Sequence, residues 1–79
     1  MLLPNGLKLF ISDIIDTETN KQTFWYIVGK TYNSALERFI KEANKIWHGY
    51  SYYFYEANED IMEEFMERYT DIKEDIYYK

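Results

Sequence analysis

The chain has 79 residues and no Cys, so it supports one domain (1–79) rather than two, with neither a disulfide framework nor a thiolate zinc site to staple it. Apolar residues make up 47% and charged residues 29%, a globular composition that can offset folding entropy with a hydrophobic core and argues against disorder throughout. The formal net charge of −5 argues against an ordinary nucleic-acid binder, whose Lys and Arg must release counterions from phosphates.

The opening Met1-Leu2-Leu3-Pro4-Asn5-Gly6 lacks a charged n-region and a long apolar run, and no stretch approaches ~18 apolar residues. A soluble protein of the bacterial cytoplasm is therefore expected, with no membrane partner. Asn, Ile, Lys and Tyr supply 30 of the 79 residues; their A/T-rich codons point to a low-GC bacterium or one of its phages. Acidity is local. Residues 1–55 carry five acids and six bases, whereas residues 56–79 carry nine acids and three bases.

Residues 7–16 alternate, with Leu7, Leu9 and Ile11 on one side and Lys8, Phe10 and Ser12 on the other, until the phase breaks at Ile14-Ile15. This predicts a strand, bulged at the break. Polar residues 17–22, with Asn20 suited to φ > 0, lead into the aromatic and β-branched residues 23–28, so the two runs read as a β-hairpin ended by Gly29. Ser34-Ala35-Leu36-Glu37 fits a capping box. From there Ala35, Leu36, Phe39, Ile40, Ala43, Ile46 and Trp47 follow the helical period to His48-Gly49.

Residues 50–56 hold five aromatics in seven positions, which predicts a third strand. Asn58 then caps a second helix, whose stripe of Ile61, Met62, Phe65, Met66, Tyr69, Ile72 and Ile76 extends it toward the C-terminus. The expected fold is α+β: a small three-stranded antiparallel sheet with two helices on one face, in the order ββαβα. Phe39, Ile40, Ala43, Ile46, Phe65 and Tyr69 are its expected core.

The inventory for catalysis is thin. There is one His, no Cys and no serine nucleophile signature, so no enzymatic activity is expected. His48 has no second His with which to share a metal, and Gly6, Gly29 and Gly49 are isolated rather than gathered in a phosphate loop. Neither a cofactor nor a metal is implied. The carboxylates stand out instead. At 100° per residue, Asp60, Glu63, Glu64, Glu67, Asp71, Glu74 and Asp75 fall within an arc of about 120° opposite the apolar stripe. Repulsion at 60/64, 63/67, 67/71 and 71/75 should cost about 1–2 kcal/mol in an isolated helix, with partial relief from Glu64–Arg68 and Asp75–Lys79.

Two readings of that ridge stand side by side. It is a solvated face that keeps the chain soluble, or a surface for a cationic partner. Successive i, i+4 carboxylates stand about 6 Å apart, close to the phosphate spacing of a nucleic-acid strand, and so attract proteins that bind nucleic acid. A second question is set by Trp25, Tyr26, Tyr52, Tyr53, Phe54 and Tyr55, which point both ways from the sheet. Some rings must stay near solvent, either as tolerant tyrosines or as a protein-binding patch.

The segments Asn33-Ser34, Glu37-Arg38-Phe39-Ile40, Trp47 and Glu63-Glu64-Phe65 resemble the Cas9-inhibiting type II-A anti-CRISPRs that mimic DNA. The resemblance covers about half the chain and implies a sheet followed by two helices, with an acidic surface seated in the Arg-lined groove that reads DNA. Ser12-Asp13-Ile14-Ile15, Glu18-Thr19 and Lys21-Gln22 are similar to the opening of the phage uracil-DNA glycosylase inhibitors, also DNA mimics; there the segment opens a helix, whereas the alternation here predicts a hairpin. Together these features set the expectation of a non-enzymatic acidic inhibitor of a basic nucleic-acid-binding protein such as a CRISPR effector nuclease. The alternative is an interaction module, of immunity or phage-regulator type, bound through the aromatic sheet face.

Overall fold

A computed structural model describes residues 2–78. Its elements are β1 (Lys8–Asp16), β2 (Gln22–Gly29), α1 (Tyr32–Ile46), β3 (Tyr50–Glu56), α2 (Glu59–Arg68) and β4 (Asp75–Tyr78). The α+β class holds, but the order is ββαβαβ. The strands form one antiparallel sheet in the order β3-β1-β2-β4, with four strands instead of three.

The helices lie on opposite faces of the sheet, not on one. Leu9 and Ile11 of β1, with Tyr26 and Val28 of β2, pack against Met62 and Phe65 of α2. Phe10, Ile14, Trp25 and Ile27, from the alternate positions, pack with Ile76 against Ala35, Phe39 and Ala43 of α1. Because both faces are covered, both sets of alternate residues can be apolar. That explains the phase break at Ile14-Ile15 without a bulge. The β1 pairing runs uninterrupted from Lys8↔Gly29 to Ile15↔Gln22 on one side and from Phe10↔Glu56 to Asp16↔Tyr50 on the other.

Local signals account for most boundaries. Asn20 takes φ 59 in the β1–β2 turn, and its N–H donates to the Asp16 carbonyl at 2.8 Å. The N-cap of α1 is Thr31, three residues before the predicted Ser34. Ser34 N–H donates to Thr31 Oγ1 at 3.1 Å and Thr31 N–H donates to Ser34 Oγ at 3.2 Å, so Ser34 fills the reciprocal role expected of Glu37. At Gly29, a Cβ would stand 3.0 Å from the Ala35 Cβ; glycine lets α1 settle onto β2.

Helix α2 stops at Arg68, far short of the C-terminus. Tyr69 caps it in extended conformation, and Asp71 takes a left-handed φ of 52. The aromatic and β-branched pair Tyr69-Thr70 has low helix propensity, and stopping there also separates the 67/71 and 71/75 like charges. Ile72 and Ile76 stand four residues apart, which mimics a helical stripe. In the fold, Ile76-Tyr77-Tyr78 instead pairs with the open edge of β2, and Ile76 is buried.

Of the expected core, Phe39, Ala43 and Phe65 are fully buried. Ile40 and Tyr69 are half-buried, whereas Ile46 is 51% exposed. Trp47, just beyond α1, reaches Trp25 instead, with ring centroids 5.2 Å apart.

Candidate functional site

Three surfaces are open to a partner. The first is the outer face of α2. Asn58 Oδ1 accepts from the Ile61 N–H at 2.9 Å, Glu59 and Asp60 occupy the first turn, and the positive end of the helix dipole favours them there. Met62 and Phe65 anchor the inner face, which directs Asp60, Glu63, Glu64 and Glu67 into solvent. Among the described residues these four carboxylates make no ion pair, including the anticipated Glu64–Arg68 pair.

The seven-carboxylate ridge does not exist as one helical face. Asp71 lies in the turn after α2, Glu74 is half-buried before β4, and Asp75 opens β4, where its Oδ1 accepts from the Ile76 N–H at 2.8 Å. The expected ridge assumed a helical 100° step through residue 75; the helix ends at Arg68, so only the first four members share a face. The Asp75–Lys79 pair falls outside the described residues.

The second surface is the β3 edge. The Ala57 N–H donates to the Leu9 carbonyl at 2.9 Å and the Thr17 N–H to the Gly49 carbonyl at 3.1 Å. Antiparallel alternation therefore turns the peptide groups of Ser51, Tyr53 and Tyr55 toward β1 and those of Tyr50, Tyr52 and Phe54 outward. The outward Phe54 carbonyl accepts from the Tyr32 hydroxyl at 3.5 Å. On the α1 side of the sheet, Tyr50, Tyr52 and Phe54 surround Phe39 with centroids 6.3, 5.1 and 5.8 Å away.

The third surface is the part of the opposite face that α2 leaves bare. Beyond Ile11 and Tyr26 the next cross-strand rows are Tyr53–Asp13–Phe24 and Ser51–Ile15–Gln22. They line a shallow concavity of about 360 Å³, beside which Tyr53 is 73% exposed. Tyr55 Oη donates to Asp13 Oδ2 at 3.0 Å across its wall. Partial burial, with the Asp13 carboxylate as acceptor and neighbouring charge, pushes the Tyr55 phenol up from its ordinary value. Burial likewise raises Tyr26, where Glu64 adds to the effect and Arg68 opposes it.

Among the described residues no group of three or more His, Cys, Asp or Glu could hold a metal ion, and His48 is exposed just past the C-terminal end of α1. No helix of the described residues is long and apolar enough to cross a membrane. The α2 carboxylates were legible from sequence; the position of β3 at the sheet edge and the rows that α2 leaves uncovered were not, because both depend on strand order and on which helix covers which face. Comparison with protein-family models, with curated proteins and with solved structures finds no match.

Proposed function

We propose that the protein is a non-enzymatic acidic inhibitor that docks the outer face of α2 onto the basic groove of a nucleic-acid-binding protein, a CRISPR effector nuclease being the kind of partner it suits. The observation that carries the reading is the solvent-facing set Asp60, Glu63, Glu64 and Glu67 on one helix, without an ion pair among the described residues. Their i, i+4 rows repeat at about 6 Å, near the phosphate interval that such grooves accept. Asp71, Glu74 and Asp75 contribute to the field around this end of the molecule without forming part of the docking face.

Retention of lysate proteins on the immobilised chain, followed by mass spectrometry, tests the reading. A retained protein that binds DNA or RNA is expected, released steeply by salt and displaced by duplex DNA, with a variant carrying Glu63→Lys, Glu64→Lys and Glu67→Lys retaining little of it. Salt-tolerant retention that survives both DNA and the triple variant overturns it.

A second reading rests on a different observation, the 73% exposure of Tyr53 beside the bare sheet rows. There the chain is an interaction module whose partner packs on Tyr53 and Phe24, and loss of binding on Tyr53→Ala, with no response to salt, is its signature.

A further inference from the structure

We infer that β3 is a self-pairing edge, and that two copies of the chain join antiparallel about a two-fold axis at Tyr52 into one eight-stranded sheet. A seven-residue edge without Pro, Lys or a bulge is what folded proteins usually avoid, because its unpaired peptide groups are a template for another strand. β3 has none of those protections. Its outward N–H groups at Tyr50, Tyr52 and Phe54, and its outward carbonyls at Tyr50 and Tyr52, have no partner among the described residues. The opposite edge, β4, is four residues long.

The choice of a second copy follows from complementarity along the strand. An isologous contact must be self-complementary, and a two-fold at Tyr52 sets Tyr52 against Tyr52 and Tyr50 against Phe54, the residues whose peptide groups point outward. On the α2 side of the sheet it sets Tyr53 against Ser51 and Tyr55 against Gly49, so each large ring meets a small residue. Moving the axis to Tyr53 would set two copies of the most exposed tyrosine against each other, at a residue whose peptide groups already pair with β1.

Room exists for the join. The backbone of α1 lies mainly over β2, β1 and β4, and it reaches β3 through the side chains of Tyr32, Phe39 and Asn44; with strands about 4.8 Å apart, β1 and its symmetry mate would be about 14 Å apart, wider than a helix of 10–12 Å. The Phe54 carbonyl keeps a second lone pair for the partner's Tyr50 N–H beside its long bond from Tyr32.

Sedimentation equilibrium of the full chain over about two decades of concentration tests this, since self-association obeys mass action. The mass should climb from the monomer's 9.7 kDa toward twice that value. Tyr52→Lys places two ammonium groups face to face at the axis and should weaken the dimer by about tenfold or more. Amide exchange of the unmodified chain is an independent readout: the Tyr50, Tyr52 and Phe54 N–H groups should gain protection as concentration rises. A mass that stays at the monomer value, a Tyr52→Lys variant that dimerises like the parent, or unprotected amides in the dimer each overturn the inference.

Discussion

Tyr55 and Asp13 meet diagonally across the β1–β3 ladder, the phenol donating to the carboxylate at 3.0 Å, on the α2 side of the sheet where that helix's cover runs out. The pair ties the edge strand to the centre of the sheet through side chains as well as backbone. Tyr55→Phe should cost up to about 1 kcal/mol at neutral pH, as for one partly solvated hydrogen bond, read as a lower urea midpoint at unchanged slope.

The same phenol sets a pH dependence. Burial and Asp13 raise the Tyr55 value above 10.0, and Tyr26, Tyr50 and Tyr78 are raised as well, burial first in each. The folded state holds more protons than the unfolded state in that range, so this stability is complete below pH 10 and is lost as pH rises through the folded values. Urea midpoints should fall from about pH 10 upward, less steeply in Tyr55→Phe; midpoints that hold through pH 11 would contradict the assignment.

Phe39 and Ile46 lie seven residues apart on one sequence stripe, yet one is fully buried and the other 51% exposed. Phe39→Ala should cost about 3–5 kcal/mol, since Trp25, Tyr50, Tyr52 and Phe54 all lean on that ring. Ile46→Ala should stay within about 0.5 kcal/mol. Thermal melts that rank the two alike would show that the stripe, and not the fold, decides.

Ile76 separates what the sequence could say from what it could not. β1, β2, α1 and β3 were legible because period-2 and period-3.6 patterns report local geometry. Ile76 fits both a helical stripe through Ile72 and a short strand with Tyr77 and Tyr78. What selects the strand is the open edge of β2, a tertiary fact that no local window contains. The same blindness joined Asp71, Glu74 and Asp75 to the α2 carboxylates. Placement of the helices on both faces was also illegible, because Leu9 with Ile11 and Phe10 with Ile14 read as one strand with a phase error. Ile76→Asp should destabilise by several kcal/mol by burying an unpaired charge among Phe10, Ile27 and Ala35; a helical residue 76 on a solvent-lapped end would tolerate it.

Ser12 is fully buried on the α1 side of β1, and its Oγ has no hydrogen-bond partner among the described residues. It pairs with Trp25 on one side and Phe54 on the other, so the hydroxyl was desolvated without compensation. Ser12→Ala keeps the backbone pairing, removes one orphaned polar atom and should raise stability by about 0.5–1 kcal/mol. A drop in melting temperature would mean that the hydroxyl has a stabilising partner.

The outer face of α2 carries opposite demands for stability and for the proposed binding. Asp60 faces Glu64 and Glu63 faces Glu67 one turn apart, and Glu67 stands in the last turns, where the helix dipole disfavours an anion. Glu67→Lys converts the second repulsion into a Glu-to-Lys i, i+4 pair in the favourable direction and places a cation near the C-terminal end. At a few tenths of a kcal/mol for each of these changes, the variant should be more stable than the parent by about 0.5–1 kcal/mol at low salt, with the gain shrinking as salt screens the pair. The buried side chains Met62 and Phe65 face away from position 67, so the fold itself should not change. If the same substitution weakens retention of a basic partner while raising the melting temperature, the loss of binding cannot be ascribed to unfolding. Equal or lower stability at low salt would show that the α2 carboxylates are not in mutual repulsion, and would remove the strained acidic face from which the inhibitor reading starts.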